Sequence, residues 1–282
     1  MKTIAEILPL ATSYLAERKI DRARRSAEEL LAFVLGVKRL DLYLQYDRPL
    51  IETEMEKMRA CLVRRIKGEP IEYIMGEIDF YGCRIEVGRD VLIPRQETEI
   101  FVDLAVKGIR QQPLEGRVLW DLCSGSGCIG LGIKRACPEL RVVLSDLSPR
   151  AMAVAEKNKI KNHLDVECRV GDLLQPFLNE KADFVICNPP YVSTKEYEEI
   201  DSSVRDFEPS MALLAGKRGA DFYEKLSREL PSFLNPQARV FLEIGHAQGL
   251  LVQEIFNGPP WRHLRLEKDW AGHDRFFFLE IE

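Results

Sequence analysis

The chain is poor in the residues that would build a metal centre or a disulfide framework. It has four histidines in 282 residues, and seven cysteines with no Cys-x-x-Cys pair among them. Without paired thiols or clustered imidazoles, zinc is not predicted, and no other metal is called for. An odd set of dispersed cysteines (Cys61, Cys83, Cys123, Cys128, Cys137, Cys168 and Cys187) fits reduced thiols in a cytosol. No apolar run is long enough to cross a bilayer, so no membrane partner is expected. Lys2, Glu6, Glu17, Arg18 and Lys19, with Pro9 breaking the apolar stretch, also argue against a signal peptide or anchor, and a cytoplasmic protein is predicted. A basic excess is missing too. Forty basic against 45 acidic residues give −5, which does not favour holding a polyphosphate by bulk charge, and direct nucleic acid binding starts as a second choice.

What is present is a globular composition, 46% hydrophobic and 30% charged, in a chain long enough for two domains. Between Ile4 and Ile66 apolar residues recur at helical spacing, as in Leu30, Leu31, Phe33 and Val34, then Met55, Met58, Leu62 and Ile66. Gly36 is the only glycine before Gly68, which suits helices joined by short turns. Residues 1–70 carry 14 basic and 11 acidic side chains (+3) and residues 71–282 carry 26 and 34 (−8), so a boundary is placed near Gly68-Glu69-Pro70. In residues 71–93 the period changes to alternation through Phe80–Val87, predicting a β-hairpin linker. Residues 94–282 read as strands alternating with helices, with apolar runs at Val118-Leu119-Trp120, Val142-Val143-Leu144, Phe184-Val185-Ile186 and Val240-Phe241-Leu242. That pattern predicts an α/β domain with a mostly parallel sheet covered on both faces.

Three constellations carry chemistry. In Cys123-Ser124-Gly125-Ser126-Gly127 an apolar strand enters a glycine turn that opens a helix, so backbone N–H groups can approach a ligand at the helix's positive end. Gly130 completes the G-x-G-x-x-G spacing, a weak signal alone. Asp146 closes the next strand about 20 residues on, where an acid commonly accepts ribose hydroxyls. Ser148-Pro149 after it reads as N-cap and first helical residue. The third is the most specific: a buried strand ending in Asn188-Pro189-Pro190-Tyr191. Two prolines hold the chain extended and remove donors. The Asn188 oxygen and a neighbouring backbone carbonyl can then accept both hydrogens of a planar NH2 group, and Tyr191 can stack on it. An amide or an exocyclic amine suits that corner.

These residues resemble a class I S-adenosylmethionine-dependent methyltransferase acting on a planar nitrogen. Nearly the whole chain resembles the HemK/PrmC family, which methylates N5 of the glutamine in the Gly-Gly-Gln motif of peptide chain release factors. The matching positions include Arg65, Gly68, Pro70, Tyr73, Gly76, Phe80 and Gly82, the run Val91 to Glu99, Glu208-Pro209, Leu242-Glu243-Ile244-Gly245 with Gln248, and Asp269, Gly272, Asp274 and Arg275. The resemblance implies a helical N-terminal domain, a hairpin linker, and a seven-stranded Rossmann-like methyltransferase domain; the helical domain, set apart by its charge and composition, is assigned to docking the protein substrate, because a lone glutamine side chain gives too few atoms for specificity. It implies that Cys123 to Gly127 wrap the methionine end of S-adenosylmethionine and that Asp146 holds its ribose. The turn Gly171-Asp172-Leu173 would meet its adenine, with Leu173 where some members have Trp. Asn188 would touch the cofactor, and Asn188, Pro189, Pro190 and Tyr191 would bind the glutamine, the product being S-adenosylhomocysteine. The 94–99 stretch would line the pocket, with Gln96 where the family usually has Pro.

Two rivals share the tetrapeptide: a glutamine methyltransferase of a ribosomal protein, and an adenine-N6 methyltransferase of DNA or RNA. The second calls for a basic recognition surface, which a −8 half does not supply. A binding module that keeps the fold without transfer is a third alternative, against which the intact tetrapeptide counts. The basic cluster Arg22, Arg24 and Arg25 with Glu28 and Glu29 reads as a solvated, ion-paired helix face, and Cys187 as an inert core thiol.

Overall fold

A computed structural model describes residues 2–282, which fall into two compact units. The first comprises residues up to Gly76 together with Asp201–Phe207. Its helices are α1 (Ile4–Glu17), α2 (Ala23–Leu35), α3 (Asp41–Leu44), α4 (Glu52–Ile66) and α5 (Ile71–Met75), and Ser202–Arg205 adds one helical turn, α10. α1 begins at Thr3, whose N–H donates to Glu6 at 2.8 Å, and α2 stops at Gly36 in the left-handed conformation. Ile4, Leu8, Leu15, Leu30, Leu31 and Met58 form the core of the unit.

Two details differ from the expectation. Residues 71–75 are helical, because Pro70 caps a short turn that Gly76 ends at φ +81°, so the helical unit runs to Gly76 and the hairpin starts at Glu77. Glu28 is not solvated. It is buried under Arg24 at 3.1 Å, Arg39 at 2.7 Å and the Tyr43 hydroxyl, and it marks the side of α2 that faces inward. Arg22, at φ 47°, precedes the helix.

The second unit starts with a hairpin, β1 (Glu77–Phe80) and β2 (Cys83–Glu86), turning at Tyr81-Gly82. Then come α6 (Gln96–Ile109), β3 (Val118–Leu122), α7 (Cys128–Ala136), β4 (Arg141–Asp146), α8 (Pro149–Asn162), β5 (Glu167–Val170), β6 (Ala182–Cys187) and α9 (Thr194–Glu199). After residue 207 follow α11 (Asp221–Glu229), β7 (Leu234–Glu243), α12 (Gly249–Ile255), β8 (Trp261–Lys268) and β9 (Asp274–Ile281). The seven strands lie in the order β5-β4-β3-β6-β7-β9-β8, and β9 alone runs against the rest.

All six residues of β6 are buried, as a strand covered on both faces by helices requires. Trp120, Val143, Phe177, Val185, Val240 and Phe277 share one core, in which Trp120 stacks on Phe177 at 4.0 Å. The chain fills one side of the sheet through β3, β4 and β5 and then crosses to β6. The loops at the carboxyl ends of β3, β4 and β6 therefore open around one crevice, the place where ligands bind in open α/β sheets.

Candidate active site

The glycine turn leaves β3 with Cys123 at φ +56° and Gly125 at φ +54°. Gly127, at φ +79°, starts α7 and donates to the Ser124 carbonyl at 2.8 Å. Asn158 Nδ2 fastens the turn from below by donating to the Ser126 carbonyl at 2.9 Å. Under it, Asp121 is fully buried; one oxygen accepts the Gly130 N–H at 2.8 Å and the other has no partner. Burial pushes its carboxyl up to about 8, against the pull of that N–H. A Cβ on Gly130 would stand 2.2 Å from Leu144 Cδ2, so the third glycine of the fingerprint is there for close packing of helix on strand.

Asp146 ends β4. Its Oδ2 accepts the Gly125 N–H and its Oδ1 the Ser148 N–H, both at 2.8 Å. Each oxygen keeps a further lone pair. Burial raises its carboxyl above the usual range while the two N–H groups oppose that shift. Ser148 caps α8 by accepting from Ala151 at 3.2 Å, with Pro149 next. Gly171 donates to the Asp146 carbonyl at 3.0 Å, and this brings Asp172 and Leu173 alongside. Asp172 is paired with Lys225 at 2.6 Å.

β6 delivers Asn188 to the same rim. Val192 beyond the corner pairs with residues 213–215, through Val192 N to Leu213 O and Ala215 N to Val192 O, both at 2.9 Å. Gln248 Nε2 donates to the Tyr191 carbonyl at 2.9 Å, and Asn188 stands next to Glu243 at the end of β7, one residue beyond the Cys187–Leu242 pair. Thr98 Oγ1 donates to the Glu243 carboxyl at 2.9 Å. Burial pushes Glu243 up to about 7, and Thr98, Arg275 and Asn188 pull the other way. Tyr191 is pushed up to about 12, by burial first and by Glu243 second. Its phenol stays neutral at any physiological pH.

A cleft of about 1070 Å³, open solvent at its mouth included, runs between these loops. Cys123, Ser124, Gly125, Ser126, Asp146, Asp172, Leu173, Asn188 and Pro190 all line it. Gly127, Pro189 and Tyr191 do not. Gly127 faces Leu144 and Ala155, and Tyr191 packs against the core. Pro94 and Thr98 bring the 94–99 stretch to the wall. That stretch is pinned by buried Glu208, which accepts the Ile93 N–H at 3.0 Å and pairs with Arg95. The sequence assigns no individual role to Thr98, Glu208, Glu243 or Gln248. All four lie inside matched motifs, but only the fold reveals what each one touches. None of the four histidines lines the cleft, and no cluster that could hold a metal ion occurs among the described residues.

Comparison with known proteins agrees with this geometry. Residues 6–76 match the family model described as PrmC N-terminal domain, and residues 98–206 match that of the methyltransferase small domain. The release factor glutamine methyltransferase of Chlamydia trachomatis serovar L2 is 41% identical over 275 residues, covering 98% of this chain and 93% of that protein. The chain belongs to the release factor glutamine methyltransferase family. The relative of the same name from Geobacter sulfurreducens is 35% identical over 273 residues, covering 97% of this chain and 95% of its own length. A solved methyltransferase from Pyrococcus furiosus superposes with a TM-score of 0.52 at 18% identity, over 71% of this chain and 89% of that one, and so shares the fold. As a release factor glutamine methyltransferase by family, the chain has its Asn188 corner and its glycine turn on one crevice, although 61 residues (188 minus 127) separate them in sequence.

Proposed function

We propose that this protein transfers a methyl group from S-adenosylmethionine to the side-chain amide nitrogen N5 of the glutamine in the Gly-Gly-Gln motif of peptide chain release factors. The observation that carries the proposal is the shared cleft: Asn188 lines the same cleft as the glycine turn and Asp146. Release factors act in the cytoplasm, which is where this reading puts the enzyme.

The cleft suits the cofactor on its own evidence. A Cβ on Gly125 would meet nothing within 4 Å, so the turn borders open space that a ligand can fill. Cys123 to Ser126 would hold the methionine end, with Gly127 closing the turn behind them; Asp146 has lone pairs left for two ribose hydroxyls, and the turn at Leu173 would border the adenine. When bound, S-adenosylmethionine supplies a methyl group on a sulfonium, and the product S-adenosylhomocysteine is neutral at sulfur. No metal enters the proposal.

The residues of the corner do the rest. The glutamine amide nitrogen is a poor nucleophile because its lone pair is delocalised into the carbonyl. The Asn188 oxygen and the Pro189 carbonyl would accept its two N–H bonds, and one of these protons is released to solvent as the nitrogen gains the methyl and the sulfur leaves neutral. Those acceptors become more favourable as the nitrogen turns tetrahedral, so they assist the transition state more than the ground state. Pro190 would hold the amide plane, with Tyr191 packed against the core behind it. Pro189 and Pro190 keep the acceptors fixed, which removes a reorganisation cost at the moment of transfer.

A lone glutamine offers too few atoms for specificity, so the helical unit is assigned to docking the protein substrate. Leu40 and Leu44 stand 69% and 84% exposed around α3 and are natural contacts. The proposal is tested by incubating the purified protein and isotopically labelled cofactor with a release factor, a ribosomal protein fraction and an oligonucleotide, then locating the methyl by mass spectrometry. Label on the Gly-Gly-Gln glutamine is expected; label on adenine or on a ribosomal protein alone would replace this reading with one of its rivals.

A further inference from the structure

An asparagine at the rim of a cleft can present either its oxygen or its NH2 group, and the two choices select opposite ligands. Nothing inside Asn188-Pro189-Pro190-Tyr191 decides between them. The neighbouring strand does. Cys187 is in register with Leu242 across β6 and β7, so Asn188 and Glu243 stand side by side where that pairing ends, on one face of the sheet. Glu243 is 2% exposed, and Thr98, itself on the cleft wall, already gives it a hydroxyl hydrogen. In its ionised form the Glu243 carboxylate has only lone pairs to offer, so an amide that meets it turns its NH2 group towards it and its oxygen away.

We infer that Glu243 is a positioning residue that holds the Asn188 NH2 group, turns the Asn188 oxygen into the cleft, and so makes the corner select a carboxamide over a carboxylate. The inference rests on the glutamine methyltransferase reading and extends it to specificity. A glutamate side chain in the same place would bring its oxygens against the oxygens of Asn188 and Pro189. A flipped Asn188 would remove half of that repulsion and half of the grip on glutamine.

The experiment compares wild type, Glu243→Gln and Glu243→Leu on a whole release factor. Gly-Gly-Gln and Gly-Gly-Glu peptides serve as competitors, and S-adenosylhomocysteine binding is followed by calorimetry. Gln keeps an acceptor oxygen for Asn188, and its own NH2 group can donate to Thr98, so this variant should keep most of the turnover. Leu offers no acceptor: kcat should fall about 100-fold, the scale of a misplaced reacting group, with cofactor affinity unchanged. The preference for the Gln over the Glu competitor should fall about tenfold in the Leu variant only, as expected when one polar contact stops discriminating.

Normal turnover by the Leu variant, an equal loss of cofactor binding, or an unchanged preference would each overturn the inference. If the Leu variant does not fold, nitrogen-15 spectra of wild type decide. The Asn188 side-chain signals, assigned by their loss in Asn188→Ala, should exchange with solvent far more slowly than a free amide, and exchange at the free rate overturns the inference. A wild type that binds cofactor yet leaves the glutamine unmethylated overturns the glutamine methyltransferase reading and this inference with it. An active wild type with an indifferent Leu variant overturns the inference alone.

Discussion

Gln248 Nε2 lies 2.9 Å from the Tyr191 carbonyl oxygen and 3.1 Å from that of Gly219, and its own oxygen takes the Gly245 N–H at 2.9 Å. One buried amide, fully used, therefore ties the Asn-Pro-Pro-Tyr corner to the loop after β7. Gly219 has no room for a side chain, since a Cβ there would stand 2.3 Å from the Tyr191 oxygen. Gln248→Ala leaves the buried Gly219 carbonyl and the part-buried Tyr191 carbonyl without this donor and should cost about 1–3 kcal/mol in urea unfolding. It should also lower turnover at a temperature where the variant is fully folded. Lost stability with normal turnover would mean that the bracket supports the fold and not the corner.

Two glycines of the fingerprint should fail in different ways. Gly130 sits in α7 with ordinary helical geometry, and its Cβ would meet Leu144 at 2.2 Å. Gly130→Ala should therefore destabilise by about 1–3 kcal/mol through overpacking, despite the better helix propensity of Ala. Gly125 borders open space at φ +54°. There Ala should cost about 1–2 kcal/mol of left-handed strain and weaken cofactor binding as well. Chemical denaturation and calorimetry on both variants separate the two cases.

Asp146→Ala should raise the dissociation constant of S-adenosylhomocysteine at least about tenfold, because it removes charged acceptors for two hydroxyls. It also releases the Gly125 and Ser148 N–H groups. Asp146→Asn keeps one acceptor oxygen and should fall between Ala and wild type. Equal affinity in all three would remove Asp146 from the site.

Stability should carry a pH signature from Asp121, whose carboxyl moves from 3.8 to about 8 on folding. The native state holds this proton more tightly than the unfolded chain. The contribution is therefore complete below about pH 4 and is lost as pH rises through about 8. Asp121→Asn removes it, so the stability of the variant relative to wild type should improve steadily from about pH 5 to pH 8. A difference that stays flat across that window would show that Asp121 is ionised in the folded protein.

Much of this was legible in the sequence because local signals and fold agreed. Ser148-Pro149 starts α8 as its types predict, the continuous apolar run of β6 is buried on both faces, and the glycine turn opens α7. The mostly parallel sheet followed from strands alternating with helices, and its seven strands from the family resemblance. What could not be read were partners set by register. Glu243 stands beside Asn188 because Leu242 pairs with Cys187, and Glu208 reaches Ile93 across 115 residues and Arg95 across 113. Neither pairing leaves a periodic trace. Glu28 misled for a similar reason: spacing to Arg24 and Arg25 revealed the ion pairs but not that Tyr43 and Arg39 close over it.

The central claim is that the Asn188 corner presents two oxygens to a carboxamide beside the methyl donor. A crystal structure with S-adenosylhomocysteine and a Gly-Gly-Gln peptide tests it most directly. The account predicts the glutamine nitrogen within about 3 Å of both the Asn188 side-chain oxygen and the Pro189 carbonyl, facing the cofactor sulfur. A glutamine bound elsewhere, or an Asn188 that turns its NH2 group to the ligand, would contradict it.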